Sequence, residues 1–193
     1  RKGYGTVPLP GWNEDVDWHD DLVPFDEMPH VSNPPDGFVA TANNQPMPYG
    51  EGPFLGIDWL DGYRISRVRE IVESSDDWDI GSTMEAQLDN LSIPWLEMRR
   101  HVLSIEPSTT KSQLGQEMLR QWDGVIDGDS IVAAVYEFFV MEITRRVAQA
   151  KAPRSWEWVM GRSDTPIHTL TLLAGRRIGH LVNLLKNDPA RWS

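Results

Sequence analysis

No cysteine occurs in the 193 residues, which removes disulfides, thiolate metal sites and cysteine nucleophiles together. Basic residues are scarce too: 18 Lys and Arg stand against 29 Asp and Glu, a formal net charge of -11. Nucleic acid is excluded as a partner, because duplex binding requires Lys and Arg to neutralise phosphates, and Arg99, Arg100 and His101 are too few to do so. No apolar run approaches the length of a membrane span, and the start lacks a basic stretch followed by an apolar one. The segment is therefore expected neither to span a membrane nor to carry a targeting signal. Nor does an initiator methionine open it: Arg1 stands first, which sets the expectation of a piece cut from a longer precursor. Composition leaves the compartment open.

Two regions differ in pattern. Residues 1–56 are rich in Pro, Gly, Asn and Asp with short apolar stretches such as Gly37-Phe38-Val39-Ala40-Thr41-Ala42, and read as extended and loop segments wrapped around something else. Residues 57–193 switch to a period of 3.6 and read as a helical segment. The spacing predicts helices over 57–73, 130–151 and 166–186. Ser82 with Glu85, and Thr110 with Gln113, have the spacing of capping boxes, and Thr165-Pro166 is a third helix start. Val132, Val135, Phe139, Ile143 and Val147 form the expected buried stripe of the middle helix, broadened by Ile131, Ala134 and Phe138. The fold class expected is mainly α with minor β, the strands confined to Arg1–Pro53.

Several candidates for chemistry dissolve on inspection. Glu14, Asp15, Asp17, His19, Asp20 and Asp21 offer hard oxygen ligands, but not the alternate positions, central glycine and closing glutamate of an EF-hand, so they read as a solvated loop. His19, His30, His101, His168 and His180 are scattered singly, without a metal-binding spacing. No Gly-x-Ser-x-Gly elbow supports a catalytic triad. Asn43-Asn44 is more informative. Paired asparagines ending a small-residue stretch are ordinary turn formers, yet a side-chain amide can also donate to a developing oxyanion, where one such bond is worth roughly 3–4 kcal/mol. Arg64 is the second anomaly. In a helix over 57–73 it shares a stripe with Leu60, Val68 and Ile71 or Val72, so it must reach out to water, meet a carboxylate, or bond carbonyl groups near a cleft.

The order of motifs carries a resemblance. Pro8-Leu9-Pro10-Gly11, Trp18, Val23-Pro24-Phe25-Asp26-Glu27-Met28-Pro29, Asn33-Pro34, the run Gly37 to Asn44, Gly62-Tyr63-Arg64-Ile65-Ser66-Arg67-Val68, Gln121-Trp122-Asp123-Gly124 and Asp129-Ser130 resemble the middle of the large subunit of penicillin acylases. The likeness is clear to about residue 150. It implies an N-terminal-nucleophile hydrolase of α/β/β/α architecture, to which this chain supplies outer strands and a helical section of a core that is otherwise missing. It also implies a mechanism in which a serine, freed by precursor cleavage as the first residue of the large subunit, attacks an amide carbonyl while its own amino group acts as base through water. Residue 1 is arginine, so that serine is absent and the chain alone is expected to be inactive.

Carried over residue by residue, Asn43 matches the asparagine that forms half of the oxyanion hole. Arg64 matches the arginine that orders the nucleophile's surroundings, and Asn44 is local support. The partners implied are the small subunit and the rest of the large subunit, with a small-molecule N-acyl amide as substrate. No organic cofactor is implied. The family admits calcium in the complete enzyme, and none of its ligands can be matched here. A periplasmic or secreted bacterial location is what the family implies. The competing reading is a helical protein-interaction module without activity, whose nine tryptophans would serve as interface anchors. Convergence of Asn43 and Arg64 on one cleft would separate the two.

Overall fold

The computed structural model describes residues 8–16, 22–160 and 178–187. Its contacts divide the chain into two units, Arg1–Arg69 and Glu70–Ser193. In the first unit, prolines and glycines set the path. Pro34, Pro35, Pro46, Pro48 and Pro53 lack the N–H that a β-ladder needs, and the chain turns repeatedly. The Gly37 N–H donates to Pro34 O at 3.0 Å and the Glu51 N–H to Pro48 O at 3.3 Å. Before residue 63, regular structure among the described residues is limited to two single turns of 3-10 helix, Glu14–Val16 and Phe25–Glu27. The short strands expected between Arg1 and Pro53 are thus not formed among the described residues. The β pairing described there and beyond reduces to one isolated bridge, Leu91 with Val125.

Helix α1 spans Tyr63–Glu73 and starts six residues later than its periodicity suggests. The reason is local: the Leu60 N–H donates to Asn43 O at 3.0 Å, and the first helical bond at this end runs from Ser66 N–H to Gly62 O at 2.9 Å. Leu60 therefore lies outside the helix. No residue of α1 is buried, and Arg64 is exposed, which corrects the expectation that it shares a buried stripe.

The second unit is helical: α2 (Ile80–Gln87), α3 (Ile93–Ser104), α4 (Thr110–Arg120), α5 (Ile131–Lys151), α6 (Trp156–Val159) and α7 (Ile178–Asn187). The expected helix 166–186 is seen from 178 onward; residues 166–177, with the Thr165-Pro166 start, lie outside the described residues. Polar side chains fix the helix starts. Asp79 accepts from the Ser82 N–H at 2.7 Å while Ser82 Oγ accepts from the Asp79 N–H at 2.9 Å, so Ser82 closes a capping box rather than opening one. The Ser82 N–H and hydroxyl, both donating to Asp79 Oδ1, hold that carboxyl below the usual range. Thr109 pairs with Ser112 in the same way, one residue ahead of the Thr110 expected. Ser92 and Ser130 cap α3 and α5.

Along α5 the buried line is Ala133, Tyr136, Val140, Thr144 and Ala148. The expected stripe, Val132 to Val147, flanks it at intermediate exposure, and Ile131, Ala134 and Phe138 face outward. The face is off by one residue because α5 is apolar on several sides, and what decides is the partner. Small side chains at 133 and 148 admit neighbours closely, and the Tyr136 hydroxyl accepts a bond from Ser92 Oγ at 3.0 Å. Around that bond Trp95, Trp122 and Tyr136 pack as a trio, with ring centroids 4.9 to 5.7 Å apart. Gly124, at φ +94°, completes the seat: a Cβ there would lie 3.1 Å from Trp95 Cδ1. Its carbonyl accepts from the Ser92 N–H at 2.8 Å. The Gln121-to-Gly124 motif is therefore structural. Helix α3 packs on α4 and α7, and Lys186 Nζ meets Glu97 Oε2 at 2.6 Å across the α3–α7 contact.

Burial pushes the Tyr136 hydroxyl from 10.0 up to about 12. The folded state thus favours the neutral phenol, and this contribution is complete below pH 10 and is lost as pH rises toward 12. Denaturant unfolding should show stability falling over that window by on the order of 2 kcal/mol. Tyr136→Phe should cost about 1 kcal/mol at neutral pH and flatten the alkaline fall. An equal alkaline fall in both proteins would remove Tyr136 as its source.

Candidate functional site

The candidate site lies within the first unit, on the turn after Val39-Ala40-Thr41-Ala42. Ala42 is 6 % exposed and is the buried anchor of this stretch. Asn43 follows with φ +59°, a left-handed conformation that asparagine tolerates better than other residues with a Cβ. Its backbone carbonyl is fixed by the Leu60 N–H at 3.0 Å. Its side chain is fixed from α1: Arg64 Nη1 donates to Asn43 Oδ1 at 3.1 Å.

That last bond has a chemical direction. A guanidinium has donors and no acceptor, so it can take only the oxygen end of the amide. Oδ1 is thereby assigned to Arg64 and Nδ2 is turned away from it. Among the described residues no group accepts from Asn43 Nδ2. Both side chains are exposed. Among the described residues the guanidinium thus meets an amide oxygen rather than a carboxylate or a core. Five residues further along α1, Arg69 lies 4.0 Å from Asp36 and 5.8 Å from the centroid of the Phe38 ring. The first turns of α1 thus hold both ends of the segment 36–43.

Asn44 supports the turn from its other side. Its Oδ1 accepts from the Ala42 N–H at 3.1 Å and its Nδ2 donates to Gln45 O at 3.0 Å. Beyond it, a cavity of about 230 Å³ is lined by Gln45, Met47, Phe54, Leu55 and Trp59, among prolines and glycines. The Trp59 Nε1–H donates to Gly56 O at 3.3 Å, and Gln45 Nε2 donates to Met47 O at 2.6 Å. This cavity has no periodic signature, and the sequence gives no sign of it.

Other candidates do not assemble. Ser82 and Ser130 are engaged in helix caps, and among the described residues no serine hydroxyl bonds a histidine ring. His19 and His168 lie outside the described residues, as does most of the acidic run from Glu14 to Asp21. Among the described residues no group of three or more His, Cys, Asp or Glu is placed to hold a metal ion.

The sequence matches the family model described as penicillin amidase over residues 1–192. It is 31% identical over 145 residues to the penicillin acylase 2 proenzyme of Pseudomonas sp. (strain SE83), covering 74% of this chain and 18% of that protein. It is 26% identical over 161 residues to the acyl-homoserine lactone acylase QuiP of Pseudomonas syringae pv. tomato, covering 76% of this chain and 19% of that protein. Against the penicillin G acylase of Escherichia coli it is 23% identical over 192 residues, covering 89% of this chain and 22% of that protein. The chain belongs to the penicillin amidase family. It spans about a fifth of the length of these curated relatives.

If Arg64 alone sets the amide, Arg64→Ala should free it to rotate. In protein labelled with ¹⁵N at asparagine side chains, the Asn43 order parameter should drop below about 0.6. Global stability should fall by no more than about 1 kcal/mol, because the bond is exposed. An unchanged order parameter would mean that another group orients the amide.

Proposed function

We propose that this chain is part of an amidohydrolase that cleaves N-acyl amide bonds, and that Asn43 donates one of the two hydrogen bonds of its oxyanion hole. The observation that carries this reading is the 3.1 Å bond from Arg64 to Asn43 Oδ1, which leaves Nδ2 as the end available to a substrate. Family membership supports the reaction class.

In this reading a serine at the N-terminus of the large subunit, outside these residues, is the nucleophile. Its oxygen adds to the amide carbonyl carbon, the C=O π pair moves onto oxygen, and the Nδ2–H of Asn43 meets the charge that forms there. Collapse of the adduct breaks the C–N bond, the amine leaves with a proton, and water hydrolyses the acyl-enzyme by the same sequence. An amide held in place before reaction needs no reorganisation as charge develops. Arg64 performs that holding and adds a positive charge behind the amide, which polarises its N–H bonds. The partners are the remaining subunit and the rest of the large subunit, including the α/β/β/α core, with an N-acyl amide as substrate. Among the described residues no helix is long and apolar enough to cross a membrane, and we assign the full-length protein to the periplasm or exterior of a bacterium. The reading as an inactive interaction module leaves the Asn43–Arg64 bond without a purpose.

In the full-length processed enzyme, Asn43→Ala should lower kcat by about 100- to 1,000-fold with KM changed little, since the lost bond strengthens in the transition state. Steady-state hydrolysis of a chromogenic phenylacetyl or longer-chain N-acyl amide reads both constants. The 193-residue chain alone should turn over neither. An unchanged kcat would remove Asn43 from the oxyanion hole.

A further inference from the structure

We infer that Asn44 is a positioning residue for the reaction, a brace whose two side-chain bonds hold Asn43 in the backbone conformation that aims its amide. This rests on the reading of Asn43 as an oxyanion donor. The geometry is specific. The Asn44 side chain reaches the N–H of Ala42 on one side of Asn43, at 3.1 Å, and the carbonyl of Gln45 on the other, at 3.0 Å. It therefore spans the one residue of the turn whose φ is positive, +59° at Asn43. Such a conformation carries a backbone penalty for a residue with a Cβ and persists only where neighbouring contacts over-determine it.

Three contacts do so here, and they act on different atoms. The Leu60 N–H holds the Asn43 carbonyl, Arg64 holds its side-chain oxygen, and Asn44 Oδ1 holds the Ala42 N–H, closing a ring that passes through the Asn43 backbone. Arg64 fixes which end of the amide faces outward. It does not fix where the Cα–Cβ bond points, because that direction is a property of the backbone. Asn44 supplies that second constraint through its acceptor on the Ala42 N–H, while its donor, on Gln45 O, fixes the amide that carries the acceptor. Ala42, only 6 % exposed, gives the brace a fixed point to pull against. A shift of the donor by about 1 Å can cost on the order of 100-fold in rate, so a loosened turn should show first in kcat.

The test is a double-mutant cycle in the full-length processed enzyme, with kcat, KM and thermal midpoint measured for Asn43→Ala, Asn44→Ala and the pair. Asn44→Ala is expected to lower kcat by about 10- to 100-fold with KM within about two-fold. In the Asn43→Ala background the same change should lower kcat no further, since a brace without its donor has nothing to aim. Asn44→Asp keeps the acceptor for the Ala42 N–H and loses the donor to Gln45 O. It keeps the bond that closes the turn, and should retain more activity than Asn44→Ala. Should Asn43→Ala itself prove inert, the oxyanion reading falls and this inference with it. A damaging Asn43→Ala beside an inert Asn44→Ala, or losses in kcat that multiply in the pair, would overturn the brace alone.

Discussion

A guanidinium cannot accept a hydrogen bond, and the candidate site is organised by that fact. An asparagine amide on its own is nearly symmetric in shape and can present oxygen or nitrogen to a ligand with little difference in packing. Arg64 breaks the symmetry by claiming Oδ1 at 3.1 Å. What remains is a donor pointed away from the helix that carries the arginine. The pairing needs Arg64 on the first turn of α1, and that needs the helix to begin at Tyr63 rather than earlier. The Leu60 N–H, given to Asn43 O, is lost to the helix and gained by the turn. One short span of chain thus carries the arginine and fixes the backbone of the asparagine it bonds.

The second unit answers to a different constraint, the pairing of two buried hydroxyls, those of Ser92 and Tyr136, inside a packed aromatic cluster. Ser92 accepts from the Trp95 N–H and donates to the Tyr136 hydroxyl, so one buried hydroxyl group caps α3 and ties it to α5. A buried polar group left unpaired would be destabilising by a few kcal/mol, and this bond removes that cost for two of them. It also chooses the face of α5. Several faces of that helix are apolar enough to bury, and only one presents a hydroxyl to Ser92.

Much of the helical half was legible in the sequence, because periodicity is a local property: α5 at 131–151 falls within a residue of its expected span. What local pattern could not convey depended on partners far along the chain. Tyr136 and Ser92 are 44 residues apart, so the stripe on α5 was read one residue off. Ser82 looked like a cap until Asp79, a stronger acceptor, took the position. Among the described residues the expected strands of Arg1–Pro53 do not form, along a path that prolines and glycines turn repeatedly. Asn43 and Arg64 are marked in the sequence by motif and by a place on an apolar stripe respectively, a stripe that α1 leaves unburied. Its place is explained by a bond across 21 residues on an exposed face.

In the proposed enzyme the Asn43 amide is pre-set, oxygen to Arg64 and nitrogen to the substrate. The most direct measurement is a crystal structure of the full-length processed enzyme carrying a tetrahedral boronic-acid adduct on its nucleophile. The account predicts Asn43 Nδ2 at about 2.7–3.1 Å from the adduct oxygen that stands in for the oxyanion, with Oδ1 still on Arg64. An adduct oxygen bonded by Arg64 itself, with the Asn43 amide turned aside, would contradict it.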